Sequence, residues 1–310
     1  MQLKGVILAA GKGTRIYPFS EKYPKPILPV ANKPLMQYQI ELMASIGIEE
    51  VIVVIGHLGY EIVRRIGQGE EYGVHIHYVE QKTTLGIAHA VGTLESLVEG
   101  PFMLFLGDIY FVPNSLGDMV EIMVRDSLQA VLATMVEEDV DKIKRNFAVI
   151  LDGDGLVERV VEKPQYPQNN LKGCGIYLFS PQIFDAIRRT PRTAMRDEYE
   201  ITDAIQILIN DGGRVRSLNV IERDMNLTYP QDLLELNLYE IARQNGENIV
   251  GKRVEIAPTA AVRNCVVGSE VRIGEGVQLE NCVVFDRVIV EAGKSYVNAI
   301  LTQERVIFGH

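Results

Sequence analysis

The sequence predicts an α/β protein: a mainly parallel sheet covered by helices on both faces, followed by a short left-handed parallel β-helix. Two patterns carry this. Short apolar β runs alternate with helix-sized segments through about residue 135, the rhythm of a sheet buried on both sides. Past Gly246 the rhythm changes to an apolar residue at every sixth position, Val271, Val277, Val283 and Ile289, with Ile273, Leu279 and Phe285 two places on. That period fits neither a helix nor a plain strand. It fits a solenoid in which each repeat forms one side of a triangular coil. The chain has 310 residues, room for two domains, expected at 1–242 and 247–310.

The elements follow in order. Lys4–Ala10 reads as a first strand, too soon broken by glycine to be a signal peptide. An irregular loop then leads to a helix beginning near Leu35. Strands are expected at Val51–Ile55, His75–Val79, Phe102–Leu106 and Val131–Met135, with helices at Tyr60–Ile66, Ile87–Leu97 and Leu116–Arg125 between them. Phe147–Leu151 and Leu156–Glu162, joined by Asp152-Gly153-Asp154-Gly155, read as a hairpin. A strand at Gly175–Phe179 precedes helices at Pro181–Arg188 and Ala204–Asn210, the latter capped by Thr202 or Asp203. Pro230 opens a last amphipathic helix. The β-helix, of two or three coils, is too short to stand uncapped, so it is expected to pack on the first domain or on another subunit.

Composition narrows the function. With 47% apolar and 23% charged residues the chain is neither disordered nor fibrous. Apolar runs such as Val51–Ile55 and Phe102–Leu106 are five residues long, far short of the roughly 20 that cross a bilayer. A net charge of −10 disfavours nucleic acid and anionic membrane as partners. Three cysteines, Cys174, Cys265 and Cys282, fit reduced thiols in a cytoplasmic protein. Residues 1–34 break the acidic trend, with Lys4, Lys12, Arg15, Lys22, Lys25 and Lys33 against Glu21 alone. These charges are interleaved with Gly11, Gly13, Pro18, Pro24, Pro26, Pro29 and Pro34. A long basic loop without regular structure is usually functional. The histidines read as structural: His75 and His77 share a strand face but lack a third ligand, and His57 and His89 lack a triad partner.

Directly after the first strand stands Ala10-Gly11-Lys12-Gly13-Thr14-Arg15. Glycines let backbone N–H groups approach phosphate, and the cations supply charge. It matches neither common phosphate loop: Ile16 replaces the third glycine of the dinucleotide fingerprint, and Lys12 is followed by glycine rather than Ser or Thr. Further on come Tyr23-Pro24-Lys25-Pro26-Ile27-Leu28-Pro29-Val30, Gln81, Leu85-Gly86-Ile87-Ala88-His89-Ala90, Phe105-Leu106-Gly107-Asp108, Val161-Glu162-Lys163-Pro164 and Glu200-Ile201-Thr202-Asp203-Ala204-Ile205. In this order, over residues 3–242, the series resembles the sugar-phosphate nucleotidylyltransferases, and most of all the glucose-1-phosphate thymidylyltransferase type with an added hexapeptide tail.

The resemblance implies a Rossmann-like nucleotidyltransferase fold, and the short tail, read as a packing or assembly element, adds the expectation of a homo-oligomer. The resemblance also implies Mg²⁺-dependent transfer from a nucleoside triphosphate, dTTP or UTP, to a sugar 1-phosphate, with glucose 1-phosphate first. By the same resemblance Arg15 holds the departing phosphates, Lys25 the α-phosphate and Lys163 the sugar phosphate. Ala10, Gly11, Gly13, Thr14, Gln81 and Gly86 would surround the nucleotide. Ala148, Glu162 and Gly175 would surround the sugar, and Asp108 and Asn226 would hold the metal. The Gln81 amide offers the donor and acceptor that complement thymine or uracil. Three positions depart from the pattern: Asn226 where many relatives carry Asp, Ile109 where Asn is common, and Ala148 in place of a glycine. Asn226 bears on the metal and the nucleotide, Ile109 and Ala148 leave the sugar open, and Asn226 with Ile109 leaves a second reading as a non-catalytic subunit that binds sugar or nucleotide. Acyl transfer by the tail is disfavoured, its one histidine being terminal His310.

Overall fold

The structure is a computed structural model; it describes residues 3–194 and 197–309. They fall into two compact units, one formed by the chain up to Lys12 with Gln39–Asp224, the other by Gly13–Tyr38 with Met225 onward. The basic loop thus belongs with the last helix and the tail, a grouping that the linear order of the chain does not display.

The first unit is built on a nine-stranded sheet: β1 (Lys4–Ala9), β2 (Glu50–Ile55), β3 (His75–Glu80), β4 (Phe102–Leu106), β5 (Ala130–Val136), β6 (Phe147–Leu151), β7 (Val157–Glu162), β8 (Leu171–Phe179) and β9 (Val215–Asn219). Its order is β7-β6-β8-β4-β1-β2-β3, with β5 joining β8 to β9. The strands β4, β1, β2 and β3 are parallel. The apolar runs of β4, β1 and β2 are buried, as expected of strands covered on both faces, while β3 at the sheet edge alternates, with Ile76 buried between exposed His75 and His77. β6 and β7 form the expected antiparallel hairpin. β8 runs antiparallel to β4, β5 and β6, and its pairing with β5 shifts between Gly173 and Tyr177.

Element boundaries differ where tertiary contacts intervene. The helix expected over Ile87–Leu97 ends at Gly92, where glycine disfavours continuation. The helix Ile201–Asn210 starts a turn early, with Glu200 rather than Thr202 or Asp203 at its N-cap. Thr202 instead donates to Glu162 Oε2 at 3.4 Å. The helix Val140–Arg145 and the strands Ile109–Pro113, Val215–Asn219 and Ile221–Asn226 were not legible as patterns.

Lys172 on β8 is buried to 1% exposure. Its ammonium lies 2.6 Å from Asp224 and 3.7 Å from Glu137. Removing one partner from such a pair strands a buried charge. Lys172→Met is therefore expected to cost about 3–5 kcal/mol, read from urea unfolding. A loss below 1 kcal/mol, roughly that of an exposed pair, would refute the assignment. Burial pushes the nearby Cys174 thiol up, with Asp224 adding to the effect, so it stays protonated and inert.

The second unit contains the solenoid. Parallel pairing of Ile249, Val266, Val283 and Ile300 sets a coil of 17 residues, so one side of each coil holds five residues rather than six. The six-residue count therefore fails at its last step: Val288 is buried, while Ile289 is 68% exposed. At one corner Asn264, Asn281 and Asn298 recur with φ near +50°. Their amides bond in a ladder at 2.6 and 3.0 Å. Asparagine tolerates this left-handed geometry better than other side chains. The strand Val306–Phe308 pairs antiparallel with Ala299–Leu301 and covers the edge of the last coil.

The basic loop is ordered. Three 3₁₀ turns and a two-residue hairpin occupy it, the hairpin turning on Ala31 and Asn32, both at positive φ. Asn237, in the helix Pro230–Arg243, clamps that hairpin. Its amide donates to the carbonyls of Pro29 (3.0 Å) and Leu233 (2.8 Å), and accepts from Ala31 N–H at 2.8 Å. The tail holds the rest of the loop. Asn32 donates to Val267 O at 2.9 Å. Phe285 stacks on Phe19 at 5.5 Å and meets Tyr23 edge-on at 6.0 Å. Lys22 pairs with Glu304, and Arg305 lies over the Tyr17 ring.

Candidate active site

Registers in the first unit show which residues converge. Leu106 sits opposite Leu8, Ala9 opposite Ile55, and Ile55 opposite Glu80. Four parallel strands therefore end together, and the residues that follow them are Ala10-Gly11, Gly56, Gln81 and Gly107-Asp108. This carboxyl edge is where ligands bind in open α/β sheets. The antiparallel strands extend it. Ile176 pairs with Phe105, Lys172 with Ala148, and Glu162 with Phe147, which brings Gly175, Ala148, Glu162 and Lys163 to the same edge. Gly13, Thr14, Arg15, Lys25 and Asn226 lie in the second unit.

The turn carrying Asp108 is held from both sides. Gly107 N–H donates to Leu8 O at 2.9 Å. The fully buried amide of Gln39 donates to Leu106 O at 2.8 Å and to Ile109 O at 2.7 Å, bracketing Gly107-Asp108. Sequence reading missed Gln39. The available signal was a polar residue inside the buried stripe Leu35, Met36, Ile40 and Met43. Gln39→Leu is expected to cost about 1–3 kcal/mol through unsatisfied carbonyls and to raise the Mg²⁺ concentration needed for half-maximal activity. An unchanged Mg²⁺ titration would show that Gln39 supports only the fold.

Ile109 is buried and points at Gly175: a Cβ there would meet its Cδ1 at 2.8 Å. Asparagine at 109 would strand an amide among apolar groups, so the departure at this position belongs to packing. Glu162 and Lys163 form a partly exposed pair, Nζ to Oε1 3.7 Å. Lys163 N–H donates to Asn146 O at 2.7 Å, and its φ of 45° is unusual for a side-chain-bearing residue. Such conformations cluster at functional sites.

Two glycines have identifiable tasks. Gly13 has φ +62°, and a Cβ there would meet the Lys25 stem at 3.2 Å; glycine lets that stem cross the loop. Lys25 is thereby 8% exposed, whereas Arg15 is open to solvent. Gly86 has φ +105°, and a Cβ there would stand 2.5 Å from Tyr199 O. Gly86 thus admits the Tyr199 backbone, which accepts from Ala88 N–H at 3.0 Å and donates to Leu85 O at 2.7 Å. Gln81 Nε2 lies 3.1 Å from His89 Nδ1, a partner that sequence reading did not give to His89. His75 and His77 are exposed on β3, and no group of three or more His, Cys, Asp or Glu suited to a metal stands among the described residues.

A family model for nucleotidyl transferases matches residues 4–233. The chain belongs to that family. The Low-salt glycan biosynthesis nucleotidyltransferase Agl11 of Haloferax volcanii is 36% identical over 269 residues, covering 83% of this chain and 74% of its own. UTP–glucose-1-phosphate uridylyltransferase AglF of the same organism is 36% identical over 231 residues, covering 74% and 93%. A glucose-1-phosphate thymidylyltransferase of Streptomyces griseus is 35% identical over 264 residues, covering 82% and 71%. Among solved structures, a Bacillus anthracis protein assigned as a glucose-1-phosphate thymidylyltransferase superposes with a TM-score of 0.68 at 26% identity, covering 76% and 94%. This nucleotidyl transferase therefore carries its family's domain with a solenoid appended. No helix among its described residues is long and apolar enough to cross a membrane.

Proposed function

We propose that the chain transfers a nucleotidyl group from dTTP or UTP to a sugar 1-phosphate, with glucose 1-phosphate as the first candidate acceptor. The convergence of Gly11, Gln81, Asp108, Glu162 and Lys163 at one sheet edge is the observation that carries this reading. A phosphate oxygen of the sugar attacks the α-phosphorus in line, the α–β bridging bond breaks, and pyrophosphate leaves. No covalent enzyme intermediate is needed, so the protein contributes positioning and charge. Arg15 neutralises the leaving phosphates, Lys25 the α-phosphate and Lys163 the incoming phosphate, while Glu162 accepts from sugar hydroxyls. Gln81 reads the pyrimidine edge. Asp108 and Asn226 offer a carboxylate and an amide oxygen, hard donors that fit Mg²⁺. When bound, the metal supplies further neutralisation of the triphosphate.

A matrix of nucleoside triphosphates against hexose 1-phosphates, scored by pyrophosphate release, tests the proposal. Absence of release with every pair would favour a non-catalytic binding subunit. Arg15→Ala is expected to lower turnover by roughly 10²–10³-fold with an unchanged thermal midpoint, because an exposed charge aimed at the leaving group is lost. Near-full turnover at saturating substrate would remove Arg15 from this role. Three unpaired, buried cysteines support a cytoplasmic setting. Ile289, an apolar side chain 68% exposed on the solenoid, supports a homo-oligomer, measurable by light scattering.

A further inference from the structure

Gln81 is buried at the end of β3, and its backbone N–H donates to Ile55 O at 2.8 Å. Its amide nitrogen faces His89 Nδ1 at 3.1 Å. With the amide nitrogen toward it, a neutral His89 accepts at Nδ1 and carries its proton on Nε2, whereas the opposite tautomer would donate from Nδ1 to the amide oxygen. The His89 ring is held in turn. It sits on the short helix Ile87–Gly92 and stacks on Tyr199, with centroids 6.2 Å apart and planes at 24°. Tyr199 is tied at both backbone groups to Leu85 and Ala88, and the Arg192 guanidinium lies 5.8 Å from its ring centroid.

With its proton on Nε2, His89 offers Nδ1 only as an acceptor and holds the amide nitrogen of Gln81 toward it. An amide without such a partner has two orientations that exchange its donor and acceptor. Uracil and thymine present N3–H beside the O4 acceptor, whereas cytosine presents an N3 acceptor beside an amino donor. Rotating the amide by half a turn therefore converts a reader of uracil into a reader of cytosine. We propose that His89 is the specificity-determining positioning residue, holding the Gln81 amide in the orientation that accepts thymine or uracil and rejects cytosine. One Gln81 N–H serves His89, the second is left for O4, and Oε1 is left for N3–H. The proposal rests on the reading of the base by Gln81.

The measurement is the ratio of kcat/KM for UTP to that for CTP, at saturating sugar 1-phosphate. His89→Phe keeps a ring against Tyr199 and removes the acceptor; the ratio is expected to fall at least about tenfold as the amide rotates freely. His89→Asn replaces Nδ1 with a carbonyl oxygen on the same branch and is expected to hold the ratio within about threefold of wild type. A purely structural role would lower kcat/KM for every nucleotide alike and leave the ratio in place. A wild-type ratio in His89→Phe overturns the proposal while leaving base reading by Gln81 intact. Faster turnover of ATP or GTP than of UTP by the unaltered chain overturns the base reading itself. Should His89→Phe lack a cooperative thermal transition, His89→Ala is compared with His89→Asn, and equal ratios overturn the proposal.

Discussion

Asp108→Ala is expected to reduce Mg²⁺-dependent pyrophosphate release by at least about 10³-fold, with little change in stability. The magnitude follows from losing the one formally charged ligand proposed for the metal, in a reaction whose catalysis is mostly charge neutralisation. The fold should survive because the turn is held by its neighbours: Gly107 bonds Leu8, and Gln39 bonds Leu106 and Ile109. Asn226→Asp supplies a second carboxylate and is expected to leave turnover intact while lowering the Mg²⁺ needed. If Asp108→Ala kept the wild-type Mg²⁺ dependence, the metal would have to bind elsewhere.

Removing residues from 247 onward is expected to lower turnover by roughly 10²-fold, the scale of a displaced catalytic group. In sequence terms the deletion spares every assigned residue. In the folded chain the loop bearing Arg15 and Lys25 rests on the tail, through Phe285 against Phe19 and Tyr23, Val267 against Asn32, and Glu304 against Lys22. Phe285→Ala is the milder form of the same test. Phe285 is 8% exposed, and truncating a buried aromatic typically costs about 3–5 kcal/mol. Calorimetry alongside the pyrophosphate assay separates lost stability from lost rate. A truncated chain with full turnover would show that the loop holds its own shape through Asn237 and the hairpin at Ala31-Asn32.

The parallel strands were legible because burial on both faces demands unbroken apolar runs; Phe102–Leu106 appears in the structure with the same limits. The strand Ile221–Asn226, with sequence IERDMN, was not. Its charged residues break the apolar run, and only its place in the folded chain makes it a strand. His89 was read as structural for a similar reason. Gln81 and His89 are eight positions apart, and their contact depends on how the strand end and the short helix fold together.

The sequence by itself determined the sheet, the order of the site residues along the chain, and a solenoid at the C-terminus, since these follow from local periodicity and residue chemistry. Tertiary structure decided the 17-residue coil, the burial of Val288 in place of Ile289, the clamping of the Asp108 turn by Gln39, and the seating of the basic loop on the tail. Each of these joins residues that are distant along the chain or sets a register between neighbouring strands. Such pairings are selected by packing and by the satisfaction of buried hydrogen bonds, and no window of sequence contains both partners.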